Sequence, residues 1–294
     1  CTRNPEATKA KFGTWDVEVP LMSDFEAMCN DPEVDLVYIA VPHGLHYEYA
    51  IKAIDAGKAV VAEKAFTLTQ AQAQDLADRA AAKGVFIMEA MWTRYLPQYD
   101  VIRQLIEANT LGDIDIVNVS MCQANLEIDR LWKKGHGDPF FDMGIYPVSF
   151  VQTFLGNPKT ITAQAVMHPN GVEEEVSVQF GYESGARAYI LLSARAAIHG
   201  PAQVGGSKAK LTVGPEFFIP GSVGLAPVDF GAPTEFWHDE TGVAAHEGLS
   251  YQATALAGFV DQGLLESPYE SHEDSIANIA TCAEVIRIIG AEIL

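Results

Sequence analysis

The sequence predicts an α/β protein in two parts, a doubly wound parallel sheet followed by an α+β domain with a large, mostly antiparallel open sheet. Three observations carry this. Between residues 34 and 91, short β-branched runs alternate with helical stretches, the pattern of βαβ units with right-handed crossovers. Those runs lack polar alternation, as strands buried on both faces do. After Pro158, strand-like runs follow one another through turn residues, so consecutive strands can pair antiparallel.

The chain opens on a polar turn, Cys1 to Pro5, running into a helix at 5–12 whose small and apolar residues are Ala7, Ala10 and Phe12. That is how the end of a strand hands over to a helix. A second helix lies around 23–30. "VDLVYIAV" (34–41) is a buried strand, "HYEYAIKAIDAG" (46–57) a helix stopped by Gly57, and "KAVVAEKA" (58–65) another strand. Helix 69–84 carries a capping box, with Thr69 at the N-cap and Gln72 at N3, and ends at Gly84. "VFIMEAM" (85–91) is the third strand. A helix near 95–109, a strand-like run at 113–124 and a helix over 139–155 follow. Strands are expected at 160–168, 174–182, 186–195 and 209–213, and helices near 248–265 and 272–292. Segments 125–138 and 215–247 read as loops without signature. The boundary falls near residue 92, giving domains 1–92 and 93–294, with the C-terminal helices able to pack back on the first.

With 294 residues, 48% of them hydrophobic, the chain can bury a sizeable core. A formal charge of −20 argues against nucleic acid or an anionic membrane as partner, since both reward a basic surface. Cys1, Cys29, Cys122 and Cys282 show no CxxC spacing, so reduced thiols are expected rather than a disulfide framework or zinc site. No apolar run reaches the roughly 18 residues of a membrane helix. These features favour a cytoplasmic setting.

A doubly wound sheet binds ligands outside the carboxyl ends of its strands. The residues to inspect are therefore Thr2–Arg3, Pro42–His43, Glu63–Lys64 and Trp92–Thr93–Arg94. Lys64 is the sharpest case, because an ammonium ending an apolar strand is expensive unless paired or employed. It can hold a substrate hydroxyl and stabilise negative charge on oxygen as hydride leaves carbon. A salt-bridged loop pair of Glu63 and Lys64 is the equal alternative. His46 suits a helix-start residue satisfied by backbone.

"VDLVYIAVPHGLHYEYAIKAIDAGKAVVAEKAFTLT" resembles the glucose–fructose oxidoreductase and inositol dehydrogenase family (Gfo/Idh/MocA), whose members carry a P-N-x-x-H turn, A-G-K-H-V and E-K-P. "MEAMWTRYLP", "LGDI" and "FFDMGIY" narrow the resemblance toward its dihydrodiol and D-xylose dehydrogenase branch. Ala65 stands in place of the family Pro and His43 in place of the usual Asn. The resemblance implies a Rossmann-like first domain and an NADP-dependent oxidoreductase. Lys64, Asp142 and Tyr146 become catalytic, the last two matching a D-x-G-x-[HY] element with Tyr146 as acid/base. At i and i+4 on a helix these two share a face, and a phenol near Lys64 is expected to have a lowered pKa. Pro42, His43, His46, Glu63, Lys64, Trp92 and Arg94 become cofactor contacts.

NAD enzymes usually place an acid at the end of the second strand. Thr2 and Arg3 stand there instead and would receive a 2′-phosphate, which favours NADP over NAD. If Cys1 ends that strand, the first strand and its glycine-rich turn precede the residues given. No G-x-G-x-x-G occurs in them, and an unpaired sheet edge is expected. The resemblance further implies a small polyol, sugar or cyclic diol as substrate and a homodimer or higher oligomer formed through the second-domain sheet. The alternatives are a cofactor-deficient relative acting as a sugar- or nucleotide-binding or regulatory protein, and a family member that uses the cofactor transiently in glycoside cleavage.

Overall fold

The computed structural model describes residues 1–14, 18–132, 138–229 and 231–291. Strands β1 (Leu36–Ile39), β2 (Ala59–Glu63) and β3 (Ile87–Ala90) form a parallel sheet in the order β1-β2-β3. Val37 pairs with Val60, and Ala62 with Glu89. Helices α3 (His46–Asp55) and α4 (Gln70–Lys83) make the two crossovers. They bury Ala50, Ile54, Leu76 and Ala80 in one core with Val37, Val60 and Ile87. The opposite face carries Val61 and Met88, packed with Phe259 of α7 (Leu249–Asp261). Strands covered on both sides need few polar residues, which is why these runs are apolar apart from Glu63 and Glu89.

The α4 cap forms as its sequence predicts at one end. Thr69 Oγ1 accepts from the Gln72 N–H at 3.2 Å, while the Gln72 side chain accepts from Leu68 rather than from the cap itself. Gly84 closes the helix at φ +64°, a left-handed conformation that costs glycine nothing. Replacing Thr69 with Ala is expected to destabilise the chain by about 1 kcal/mol, read as a lower urea midpoint with an unchanged m-value.

Helices α1 (Pro5–Gly13) and α2 (Phe25–Cys29) precede β1. Residues 1–4 are not in a strand, so Cys1 does not end one here, and α1 buries none of its residues. Among the described residues β1 pairs only with β2 and is an edge of the sheet.

The second sheet has eight strands in the order β11-β10-β9-β8-β4-β7-β6-β5. Its members are β4 (Ile114–Cys122), β5 (Thr160–Met167), β6 (Glu173–Gly181), β7 (Arg187–Ser193), β8 (Ala202–Gly206), β9 (Ala209–Val213), β10 (Ser222–Pro227) and β11 (Glu235–His238). All pairs are antiparallel except β4 with β7. The sequence reading lacks β8, β10 and β11, and the last two fall where loops were expected. Each is short and rich in Gly, Pro or polar residues, so only pairing with a neighbour makes it a strand.

Helix α5 (Pro97–Glu107) packs on β10, and helices α6 (Ile145–Leu155) and α8 (His272–Ile289) cover one face of this sheet. Val176, Val178 and Phe180 are buried there, so their alternation reflects packing on the chain's own helices and not a subunit contact. The other face exposes Ile116, Val166 and Tyr189. Helix α8 also packs on α4, joining the two sheets into one body of structure. No helix among the described residues is long and apolar enough to cross a membrane.

Candidate active site

The carboxyl ends of β1 and β2 open into a cavity of about 470 Å³, lined by Pro42, His43, His46, Glu63, Lys64 and, from the second part of the chain, Arg130 and Asp142. Residues from distant segments meet here because α6 and the wide turn before it point their N-terminal end at the β2 terminus. That turn, Phe140–Gly144, is a π-helical segment, where one continuous helix over 139–155 was expected. Asp142 sits in the π turn and Tyr146 at the start of α6. Such single π turns recur at functional sites.

Lys64 is the hub. Its Nζ donates to Asp142 Oδ1 at 2.9 Å and to the Asp142 carbonyl oxygen at 2.5 Å. It also stands 4.9 Å from the centre of the Tyr146 ring. Arg130 Nη2 donates to the other oxygen, Asp142 Oδ2, at 2.9 Å. Burial acts to raise the Asp142 carboxyl, but Lys64 and Arg130 outweigh it and hold the group well below the usual carboxylate range. For Lys64, burial favours the neutral amine, yet Tyr146, Asp142 and Glu63 keep it above its ordinary value. Asp142, and not Glu63, is the ion-pair partner of the ammonium; Glu63 instead accepts from Tyr38 Oη at 2.5 Å.

Tyr146 accepts from Trp92 Nε1 at 2.9 Å. Its phenol lies above the ordinary value, because burial exceeds the pull of Lys64. This corrects the expected lowering, which weighed the ammonium and ignored the desolvation that accompanies it. Trp92 itself is stacked under His246, with ring centres 5.8 Å apart.

The flanking histidines divide in role. His43 is buried and 3.9 Å from Asp142 Oδ1, but burial and the Lys64 charge pull its pKa down to about 3, so the contact is not an ion pair. Its Nδ1 has no hydrogen-bond partner among the described residues. His46 places Nδ1 and Nε2 each 2.9 Å from a carbonyl oxygen, those of Ala65 and Val41. It ties the end of β1 to the turn after β2, where the Lys64–Ala65 peptide is cis.

The other predicted contacts lie elsewhere. Arg94 does not line the cavity; it is buried behind Trp92 against Glu270 and Ser149. Thr2 and Arg3 stand at the start of α1, where Thr2 Oγ1 pairs with Thr8 Oγ1 at 2.8 Å and Arg3 is exposed. Arg130 was missed, because a lone Arg in a segment without pattern carries no signal. Among the described residues no group of three or more His, Cys, Asp or Glu side chains is placed to hold a metal ion.

Comparison with known proteins agrees with the two-part fold. Residues 1–91 match the family model described as "Oxidoreductase family, NAD-binding Rossmann fold", and residues 99–212 match the "GFO/IDH/MocA C-terminal domain". The chain is 27% identical over 290 residues to trans-1,2-dihydrobenzene-1,2-diol dehydrogenase of Xenopus tropicalis, covering 96% of this chain and 87% of that one. It is likewise 27% identical to the enzyme of that name from Sus scrofa, covering 90% and 81%. Among solved structures it shares the fold of levoglucosan dehydrogenase in complex with NADH and levoglucosan, with a TM-score of 0.86, 18% identity, and coverage of 98% and 86%. The aldose-aldose oxidoreductase of Caulobacter crescentus, complexed with glycerol, gives 0.82 at 19% identity, covering 97% and 87%. With both family models matched in chain order, and both sheets and the lysine-centred cleft in place, the chain belongs to the Gfo/Idh/MocA oxidoreductase family.

Proposed function

We propose that this chain is an NADP-dependent dehydrogenase that oxidises a hydroxyl-bearing carbon of a sugar or a cyclic dihydrodiol, with residues 1–92 binding the dinucleotide and 93–294 the substrate. The observation that carries the reading is the Lys64–Asp142–Tyr146 constellation at the carboxyl ends of a parallel sheet. Relatives named for a dihydrodiol and for sugars support the substrate class.

The cavity fits the nicotinamide end of a dinucleotide. Pro42 and a neutral His43 give it an uncharged wall, and the unpartnered His43 Nδ1 leaves a polar atom unsatisfied beside it. Pro42, His43 and Glu63 would hold that end, with Thr2 and Arg3 on the adenosine side. When bound, the nicotinamide supplies the acceptor of hydride. The protein's part is the proton. Lys64 orients the substrate hydroxyl and stabilises the charge developing on its oxygen. Tyr146 takes the hydroxyl proton, leaving a carbonyl product, and returns it in the reverse direction. Asp142 fixes Lys64 with two acceptors, and Arg130 fixes Asp142.

Cofactor choice rests on Thr2 and Arg3, which present a hydroxyl and a guanidinium where an acid would repel a 2′-phosphate. A calorimetric titration is expected to give NADPH tighter than NADH by roughly tenfold or more, about 1.4 kcal/mol, and Arg3→Ala should erase the difference. NADH binding as well as NADPH would reverse the assignment. The exposed sheet face with Ile116, Val166 and Tyr189 supports a homodimer. The charge of −20 and the free thiols support a cytoplasmic setting.

A further inference from the structure

Behind the cavity lies a set of buried charges that the proton chemistry does not use. Glu89, Arg94 and Glu270 are 1%, 7% and 1% exposed. Arg94 Nε lies 2.7 Å from Glu270 Oε2 and 2.9 Å from Ser149 Oγ. Glu270 is held from its other side by Asn278 Nδ2 at 2.8 Å. Glu89 accepts from the Phe66 N–H at 3.0 Å, and Phe66 is two residues beyond Lys64. Buried charges of this kind are weak sources of stability, since desolvation consumes most of the attraction. Their placement therefore asks for another reason.

Each contact reaches a segment that carries the site. Trp92 and Arg94 lie in one short turn, Trp92–Tyr95, and grip α6 at two points one helical turn apart, Tyr146 and Ser149. Tyr95 of the same turn donates to Ser267 Oγ at 2.7 Å, and Ser267 Oγ accepts the N–H groups of Tyr269 and Glu270, which sets the loop that presents Glu270. Glu89 holds the backbone after Lys64. We propose that Glu89, Arg94 and Glu270 are positioning residues: a buried clasp that fixes the Lys64 turn, Trp92 and the Tyr146 phenol relative to one another.

The charge balance agrees with this. Arg94 pairs with Glu270 and not with Glu89; burial, with the Glu270 charge added, pushes Glu89 up to about 8, and burial lifts Glu270 to about 7 against the pull of Arg94. Its Oε2 has no hydrogen-bond partner among the described residues. Asp274, Tyr95 and Tyr99 are the other ionisable groups facing Arg94, and Asp274 also faces Glu270. The clasp sets the Arg94 guanidinium beside Glu270 and turns its Nε–H toward Ser149 on α6.

The inference rests on the oxidoreductase reading of the site, so its test includes a readout that needs no turnover. With tyrosine labelled with ¹³C at Cζ, the Tyr146 resonance is assigned by its loss in Tyr146→Phe and followed through a pH titration. Ser149→Ala, which removes only a hydroxyl, and Glu270→Gln, which keeps the shape, are each expected to shift that resonance and its titration. Each should also lower kcat by roughly 10- to 100-fold with little change in KM, the signature of a misplaced reacting group. A Tyr146 resonance and titration unchanged in both variants would overturn the clasp. So would a fall in kcat that only tracks the loss of folded protein. A native chain without dehydrogenase activity, whose Tyr146 signal still responds to both variants, would sink the enzymatic reading and leave the clasp standing.

Discussion

Tyr146→Phe is expected to leave a folded chain whose kcat for alcohol oxidation is lower by roughly 10²–10⁴-fold, the span of a lost general base. The substitution removes one oxygen. The ring stays buried at the start of α6, and the Trp92 indole N–H loses its acceptor at 2.9 Å. Because the phenol touches the reacting hydroxyl in the proposed mechanism, the loss should fall on kcat and kcat/KM together, with KM nearly unchanged. The pH profile gives a sharper check. Burial raises the Tyr146 phenol above its ordinary value. A base with a raised pKa is mostly protonated at neutral pH, so oxidation by the native chain should quicken as pH rises toward that value. Carbonyl reduction needs the protonated form and should stay flat over the same range. Tyr146→Phe should abolish the rise. A variant that keeps both the rate and the slope would remove Tyr146 from the chemistry.

Lys64→Met carries the second large effect. Methionine keeps the length of the side chain and withdraws the charge that orients the substrate oxygen, with an expected loss of roughly 10²–10³-fold in kcat, about 3–4 kcal/mol at 1.36 kcal/mol per decade. It also leaves Arg130 as the only close cation of Asp142 among the described residues, so the carboxyl should titrate higher than in the native chain. The sign follows from the depressed value. Asp142 contributes stability that is present above the unfolded carboxylate range and lost as pH falls through its lower folded value. In Lys64→Met that contribution should shrink and be lost at a higher pH, which acid unfolding curves of the two chains would reveal. Unaltered turnover in Lys64→Met would refute the reading of Lys64 as the hydroxyl-binding cation.

The strand ends of the first sheet were legible because burial on both faces forces apolar runs, and a charge that interrupts one is conspicuous. Lys64 stood out on that ground alone. Asp142 and Tyr146 were legible only through resemblance, since a Tyr in an apolar helix is otherwise a packing residue. The π turn that separates them gave no sign in the sequence, because it differs from an α-helix by one hydrogen-bond register. Arg94 shows the opposite failure. Its place after a strand suggested a cofactor contact, but the turn at Trp92–Tyr95 sends Trp92 to Tyr146 and Arg94 to Ser149 and Glu270, away from the cavity lining.

Local pattern by itself determined the parallel sheet, its crossovers, the α4 cap and the position of Lys64, because each follows from burial, periodicity or capping within about twenty residues. Tertiary structure decided what depends on distant neighbours. It made β8, β10 and β11 strands by supplying partners, raised the Tyr146 phenol by burying it, and brought Arg130 to Asp142. It also closed Glu89, Arg94 and Glu270, 181 residues apart from first to last, behind the cleft. The physical reason is the same in each case. A lone polar residue or a weak strand has no preference strong enough to show in sequence, and acquires one only from the group that meets it in the fold.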